Sequence, residues 1–379
     1  MTGNSDNLIV LAAGGTGGHV FPAEALAAEM TGRGFMLRLI TDQRGDAYGG
    51  ALGDLETFRV RAGGVAGKRL TALLRSGPEL AFGTLQSRSL LKRMKPRAVV
   101  GFGGYASVPT MLAATFGGYN TLIHEQNAVL GRANRLLATR VKRIAISFDG
   151  TRSIPESAAV KVVHTGMPVR PIITAMRNAP YPELNDNSEI RLLVLGGSQG
   201  ASILSDVIPE AIEKLDDSLR SRLNITQQCR VEDLEKVRSA YQRLSLNVQL
   251  DSFFDDIPER LANTHLLIGR SGASFISEAM IVGRPTILVP YPHAIDDHQS
   301  FNAHALDEAG GGWLMSQDTF TPDALAERLR SLLSLPRVLT RAAQCARAAG
   351  HPDAAIRLAD AVCELIGSNG ENDNGRGTA

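Results

Sequence analysis

A chain of 379 residues with 44% hydrophobic content can build two domains of ordinary size, each with its own core. Its formal net charge of +1 hides an asymmetry, because residues 1 to 145 hold 18 Lys and Arg against 9 Asp and Glu while the remainder is acidic. Three scattered cysteines (Cys229, Cys345 and Cys363) exclude a disulfide framework and a cysteine metal site, no apolar run approaches the roughly 18 residues of a membrane span, and no nucleic-acid partner is expected.

The N-terminus lacks a basic leader, carries Asp6 and runs straight into a strand-like segment, which argues against a secretory signal and for a soluble or peripheral protein of the cytoplasm. Residues 8 to 30, "LIVLAAGGTGGHVFPAEALAAEM", predict a buried strand, a glycine-rich turn and a helix. Such a turn presents unpaired backbone N–H groups and the positive end of the helix dipole to an anion. Glycine either lets a phosphate approach or simply meets the need of a tight turn for positive φ. His19 falls in the first helical turn, where the dipole disfavours a cation. Beside a phosphate it either takes a proton from an attacking hydroxyl or donates a hydrogen bond to the phosphate or a nearby loop. A dinucleotide fold, with Asp42 as ribose ligand, ranks lower: a G-x-G-x-x-G starting at Gly15 needs glycine where Val20 stands.

"MLRLITD" predicts the next strand. Residues 66 to 97 then carry eight Lys and Arg and one acid, with Leu73, Leu74, Leu80 and Phe82 interleaved. This is either a surface that holds an anionic membrane or a pair of amphipathic helices whose leucines face the core. "AVVGFGGYASVP" and "TLIHEQN" continue the strand and helix alternation, and the polar, proline-bearing stretch 166 to 188 marks a domain boundary.

The second half echoes the first. In "IRLLVLGGSQGASILSDVIPEAI" the residues Gly196, Gly197, Ser198 and Gly200 repeat Gly14, Gly15, Thr16 and Gly18 at a displacement of 182 positions. "LLIGRSGASFIS" likewise echoes "AVVGFGGYASVP". The expected fold is α/β, two Rossmann-like domains facing a cleft, with ligands beyond the carboxyl ends of parallel strands. Two turns of one spacing, each with a hydroxyl at its third position, favour a phosphate or diphosphate.

In residues 271 to 302 Glu278 lies on an apolar helix, either offering its two acceptor oxygens to a ribose diol or standing as a surface carboxylate at the helix's polar edge, and Gln299 has the amide donor and acceptor that suit sugar hydroxyls. No D-x-D pair occurs, and the doublets Asp255-Asp256 and Asp296-Asp297 are as readily turns or helix caps. No metal and no cofactor are therefore expected. Arg170, at the boundary, can supply a cation to a leaving diphosphate. The final stretch, "GSNGENDNGRGTA", has no apolar pattern and is expected to be disordered.

Together "GGTGGHVFPAEALA", "GFGGYASVP", "HEQNAVLGRANR", "GGSQGA" and "SGASFISEAM" with "GRPTILVPYPHAIDDHQ" closely resemble the MurG family of bacterial peptidoglycan glycosyltransferases, from about residue 8 to residue 365. The resemblance implies a glycosyltransferase-B fold. Its domains would be an acceptor- and membrane-facing one over 1–168, a UDP-sugar-binding one over 169–348, a return helix over 349–366 and a disordered tail over 367–379. It implies inverting, metal-independent transfer of N-acetylglucosamine from UDP-N-acetylglucosamine to the 4-hydroxyl of the muramyl sugar of lipid I, at the cytoplasmic face of the cell membrane. By motif, Thr16, Gly17 and Gly18 border the donor sugar and diphosphate, and Asn127 lies near the reacting sugars. Arg170 and Ser198 match diphosphate contacts, Phe254 a backbone uracil contact, Glu278 the ribose ligand, Gln299 the sugar ligand and His19 the candidate base. Met167 stands where many relatives have asparagine, and His298 where some have glutamine. The competing readings are a UDP-N-acetylglucosamine epimerase on the same fold and a non-catalytic nucleotide-sugar sensor.

Overall fold

The computed structural model describes residues 7–15, 17–42, 50–62, 70–185, 187–197, 200–246 and 248–367, without the side chains of 70–76. The chain forms two compact units, Met1–Arg170 with Asp353–Ala379, and Pro171–Pro352.

The first unit holds the strands β1 (Leu8–Ala12), β2 (Met36–Asp42), β3 (Glu56–Val60), β4 (Ala98–Gly101), β5 (Asn120–Glu125), β6 (Arg143–Ile146) and β7 (Val162–His164). They form one sheet in the order β3-β2-β1-β4-β5-β6-β7, with every neighbouring pair parallel. The central strands β1, β4 and β5 are buried along their whole length, which is why "LIVLA" reads as a continuous apolar run rather than an alternation. The winding direction reverses between β1 and β4, the point at which open α/β sheets bind ligands. Helices Gly17–Gly32 and Gly104–Phe116 start just beyond these two strands.

The chain returns to this unit with the helix Ala354–Gly367. Leu358, Val362, Leu365 and Ile366 recur at helical spacing and join the core of Ile9, Leu11, Leu26 and Met30. Each such buried side chain contributes about 2 kcal/mol. Arg33 fastens the helix from its exposed side, pairing with Asp360 at 2.7 Å.

Residues Leu70–Met94 form one helix of 25 residues, with Pro78 inside it, rather than the pair that the basic segment suggested. Ser87, Leu91 and Met94 face inward, and Ser87 meets Thr110 of the neighbouring helix at 3.2 Å.

The second unit repeats the plan with β8 (Ile190–Leu195), β9 (Leu223–Gln228), β10 (Val248–Asp251), β11 (Leu266–Gly269), β12 (Thr286–Leu288) and β13 (Gly312–Leu314). The order is β10-β9-β8-β11-β12-β13, again parallel throughout, with the reversal between β8 and β11. Each half is thus the doubly wound sheet expected from the echo. Helix Ala273–Val282, which follows β11, is held at its carboxyl end by three arginines. Arg177 donates to the Met280 and Ile281 carbonyls, Arg347 to Val282, and Arg284 to Val282 and Gly283. Fully buried Arg284 also donates to Pro180, Leu261 and Ala262. Burial pushes its guanidinium down to about 10, which still leaves a cation at neutral pH against carbonyls that need donors. All three cysteines are free thiols, as their spacing indicated.

Candidate functional site

In the first unit the glycine turn joins β1 to helix Gly17–Gly32. A β-carbon on Gly14 would lie 2.7 Å from Ala106 Cβ and 2.8 Å from Thr41 Oγ1, so only glycine lets the turn pass beneath the neighbouring helix. Gly15 has φ +91°, the left-handed region that glycine tolerates. Gly17 and Gly18 open the helix, and Thr16 lies outside the described residues. His19 is half-buried two residues into the helix, and its Nδ1 is 3.0 Å from Gln126 Oε1.

Gln126 belongs to "HEQN", which runs off the carboxyl end of β5. Glu125, 2% exposed, is held entirely by hydrogen-bond donors: it accepts from Asn127 N at 3.0 Å, Asn127 Nδ2 at 3.2 Å, Gly131 N at 2.8 Å and Asn134 Nδ2 at 2.8 Å. A buried carboxylate is stable only with such a set. Its effect is to fix the loop that carries Asn127. Gln126 Nε2 lies 3.0 Å from Phe102 O, 3.1 Å from His124 O and 3.1 Å from His124 Nδ1. Burial pushes His124 down to about 4, against the opposing pull of the Gly166 carbonyl and with a further lowering from nearby His19.

Arg170 ends this unit, with its guanidinium carbon 4.8 Å from the ring centre of Phe21, one turn below the glycines. Burial raises Glu24, and the charge of Arg170 works against that rise. Met167 is 4% exposed, and its sulfur lies 3.5 Å from Ser147 Oγ where an asparagine would offer an amide.

In the second unit Gly197 (φ +81°) matches Gly15, but Gly200 has φ +67° and the helix Ser202–Glu213 begins later than the echo suggested. The second turn therefore carries a further reversal before its helix. Ser198 lies outside the described residues. Phe254 follows β10 and is covered by Arg260, 4.3 Å from the ring centre. Glu278 is 8% exposed on helix Ala273–Val282, and Gln299 accepts from Tyr291 N at 2.9 Å in the loop beyond β12. Asp256 and Asp297 stand at the N-cap positions of helices Ile257–Asn263 and His298–Glu308 without a side-chain capping bond, and Arg260 holds the Asp256 carboxyl below its usual range. The fold brings His19, Gly17, Gly18, Asn127 and Arg170 into the first unit and Phe254, Glu278 and Gln299 into the second, in each case at or beyond the carboxyl ends of strands.

Several polar groups were not singled out from sequence. Glu125 and Asn134 fix the loop around Asn127, and Gln126 meets His19. In the second unit the hydroxyls of Ser271 and Ser274, at the start of helix Ala273–Val282, are buried with no hydrogen-bond partner among the described residues, and Asn302 Nδ2 donates to Ser271 O at 3.2 Å. The signal for Glu125 and Gln126 was present in "HEQN", whose polar residues straddle the carboxyl end of β5. An imidazole beside a glycine-opened helix can accept a proton close to bound anionic groups, and the second unit offers a carboxylate and an amide for sugar hydroxyls.

Comparison with known proteins gives matches in both halves. Residues 9–146 match the glycosyltransferase family 28 N-terminal domain, and residues 191–358 match the glycosyltransferase family 28 C-terminal domain. A UDP-N-acetylglucosamine–N-acetylmuramyl-(pentapeptide) pyrophosphoryl-undecaprenol N-acetylglucosamine transferase of Paramagnetospirillum magneticum is 60% identical, covering 95% of this chain and 97% of that protein. The enzyme of the same name from Rhodospirillum rubrum is 58% identical over 93% of this chain and 91% of its own length. The crystal structure of Acinetobacter baumannii MurG superposes with a TM-score of 0.76 at 27% identity, covering 94% of this chain and 99% of that one.

Proposed function

The chain belongs to the MurG family of UDP-N-acetylglucosamine–N-acetylmuramyl-(pentapeptide) pyrophosphoryl-undecaprenol N-acetylglucosamine transferases, and from that premise we propose how its residues divide the work. It is a UDP-N-acetylglucosamine-dependent glycosyltransferase of cell-wall synthesis, and its acceptor is the lipid-linked muramyl sugar. His19 Nε2 takes the proton of the acceptor 4-hydroxyl as that oxygen attacks the anomeric carbon from the face opposite UDP. The anomeric C–O bond breaks, its electron pair leaves on the β-phosphate, and configuration inverts. Thr16, Gly17, Gly18, Ser198 and Arg170 meet the diphosphate, Glu278 the ribose, Gln299 and Asn127 the sugars, and the backbone at Phe254 the uracil.

No divalent ion enters this scheme. Helix N-termini supply ~0.3 to 1 kcal/mol each to a bound anion, and a preorganised donor can supply roughly 3 to 4 kcal/mol in the transition state. The observation that carries the base assignment is the position of His19: a half-buried imidazole on a helix opened by glycines, one hydrogen bond from the loop that bears Asn127. Single-turnover transfer from bound, labelled donor tests it. His19→Ala should slow the appearance of lipid-borne label by about 100-fold or more, with donor affinity within about twofold. An unchanged rate removes His19 as the base.

The same reading puts the enzyme on the anionic cytoplasmic face of the membrane as a peripheral protein. Among the described residues no helix is long and apolar enough to cross a membrane. Supporting the surface role, Phe82 (48% exposed) and Leu85 (65%) stand in water on the helix that also exposes Arg88 and Lys92.

A further inference from the structure

The hydrogens around His19 can be assigned from the acceptors that surround them. Ser147 Oγ gives its hydrogen to Glu125 O at 2.7 Å, so towards His124 it offers a lone pair. His124 Nε2 therefore faces two acceptors, Ser147 Oγ and Gly166 O, each at 3.4 Å, and must carry the proton. The buried ring is neutral, which leaves His124 Nδ1 as a lone pair. Gln126 Nε2 is then surrounded by acceptors alone, namely Phe102 O, His124 O and His124 Nδ1. The reverse amide orientation would turn its oxygen against two carbonyls and a lone pair. With the amide nitrogen committed inward, Gln126 Oε1 faces His19 Nδ1 at 3.0 Å and accepts from it.

We propose that Gln126 is a positioning residue that holds His19 as the Nδ1–H tautomer, leaving Nε2 as the proton-accepting atom, and that the polarity of this chain is set from its buried end by the Gly166 carbonyl. The proposal rests on the reading of His19 as the base, which it deepens. Every hydrogen in the chain points inward, from His19 to Gln126 to His124 to Gly166, so His19 has one orientation in which all bonds are made. The glycine pair of "GFGG" keeps the ring in register: β-carbons on Gly103 and Gly104 would lie 3.5 Å from Cε1 and 3.3 Å from Cδ2 of His19. Rotating the ring would exchange Nδ1 for Cδ2 and break the bond to Gln126. The base is thus preorganised before the acceptor arrives.

Nitrogen NMR of protein labelled on its imidazoles tests this, with the His19 signals assigned by their loss in His19→Ala. The wild type should show a protonated Nδ1 and a bare Nε2. Gln126→Met, of similar length but without an amide, should lose that preference and lower kcat by about 10-fold or more, with KM for both substrates within about twofold. A wild-type His19 protonated on Nε2 would overturn the proposal even if the variant did not fold. So would an unchanged tautomer and kcat in Gln126→Met. A wild-type Nδ1–H signal together with a fully active His19→Ala would instead sink the base reading and leave the positioning role standing.

Discussion

His124 shows what burial, as the largest influence, does to a titratable group. It lies behind Gln126 with its ring centre 5.9 Å from that of Phe102, and the loss of solvent disfavours its cation. Its unfolded counterpart takes a proton near 6.5, whereas the folded ring resists until about 4. Between those values the unfolded chain binds the extra proton, so stability is full above pH 6.5 and falls as pH drops toward 4, by about 1.4 kcal/mol per unit and about 3 kcal/mol in all. Denaturant titrations at pH 7 and pH 5 measure it, and His124→Gln should flatten the slope. An identical slope in that variant would mean that other groups carry the acid sensitivity. The residue scale is also where sequence said least. His19, Gly17 and Gly18 were legible because the glycine turn and helix start are local, but the partner of His19 is 107 positions away. Only the pairing of β4 with β1 and with β5 brings "GFGG" and "HEQN" beside it.

At the scale of elements, helix Leu70–Met94 divides into two faces. Phe82, Leu85, Arg88 and Lys92 recur at three- and four-residue steps on its outer side, while Ser87 and Leu91 point in. Gly83 sits against β3, since a β-carbon there would overlap the Arg61 carbonyl. An outward stripe of apolar and basic groups suits a surface of lipid chains and anionic headgroups, with each basic residue contributing about 1 kcal/mol near such a surface. Phe82→Ser with Leu85→Ser, or Arg88→Glu with Lys92→Glu, should weaken sedimentation with anionic vesicles by about tenfold or more while leaving the folded helix signal intact. Equal binding by all forms would assign those residues to ordinary surface. Lys68, Arg69, Leu73, Leu74 and Arg75 of the same basic segment lie among the undescribed positions or side chains. A pair of amphipathic helices was one of the two readings of this segment, but the helix is single and runs through Pro78, where packing against helix Gly104–Phe116 outweighs a single lost hydrogen bond. A comparable limit appears in the second glycine turn. Its spacing matches the first, yet the left-handed Gly200 postpones the helix, a backbone choice that glycine leaves open and sequence does not fix.

For the whole molecule, the repeat at 182 positions was the strongest signal, because two buried strands with glycine turns imply two sheets wound the same way. Continuous apolar strands and intervening helices made the parallel topology legible, and the helix Ala354–Gly367 returns the chain to the first unit through its apolar spacing and the Arg33–Asp360 pair. The basic first 145 residues and the acidic remainder fit a division between a part that meets an anionic lipid and a part that does not. Family membership decides between readings that share the fold: an epimerase would alter the sugar while it stayed on UDP, and a sensor would leave it unchanged. The most direct test follows sugar-labelled UDP-N-acetylglucosamine with the full-length enzyme and excess chelator, with and without lipid-linked muramyl acceptor. The account predicts label in the lipid fraction only when the acceptor is present, at a rate the chelator does not alter. Label that stays water-soluble in every arm, or transfer that stops in chelator and resumes with added magnesium, would contradict it.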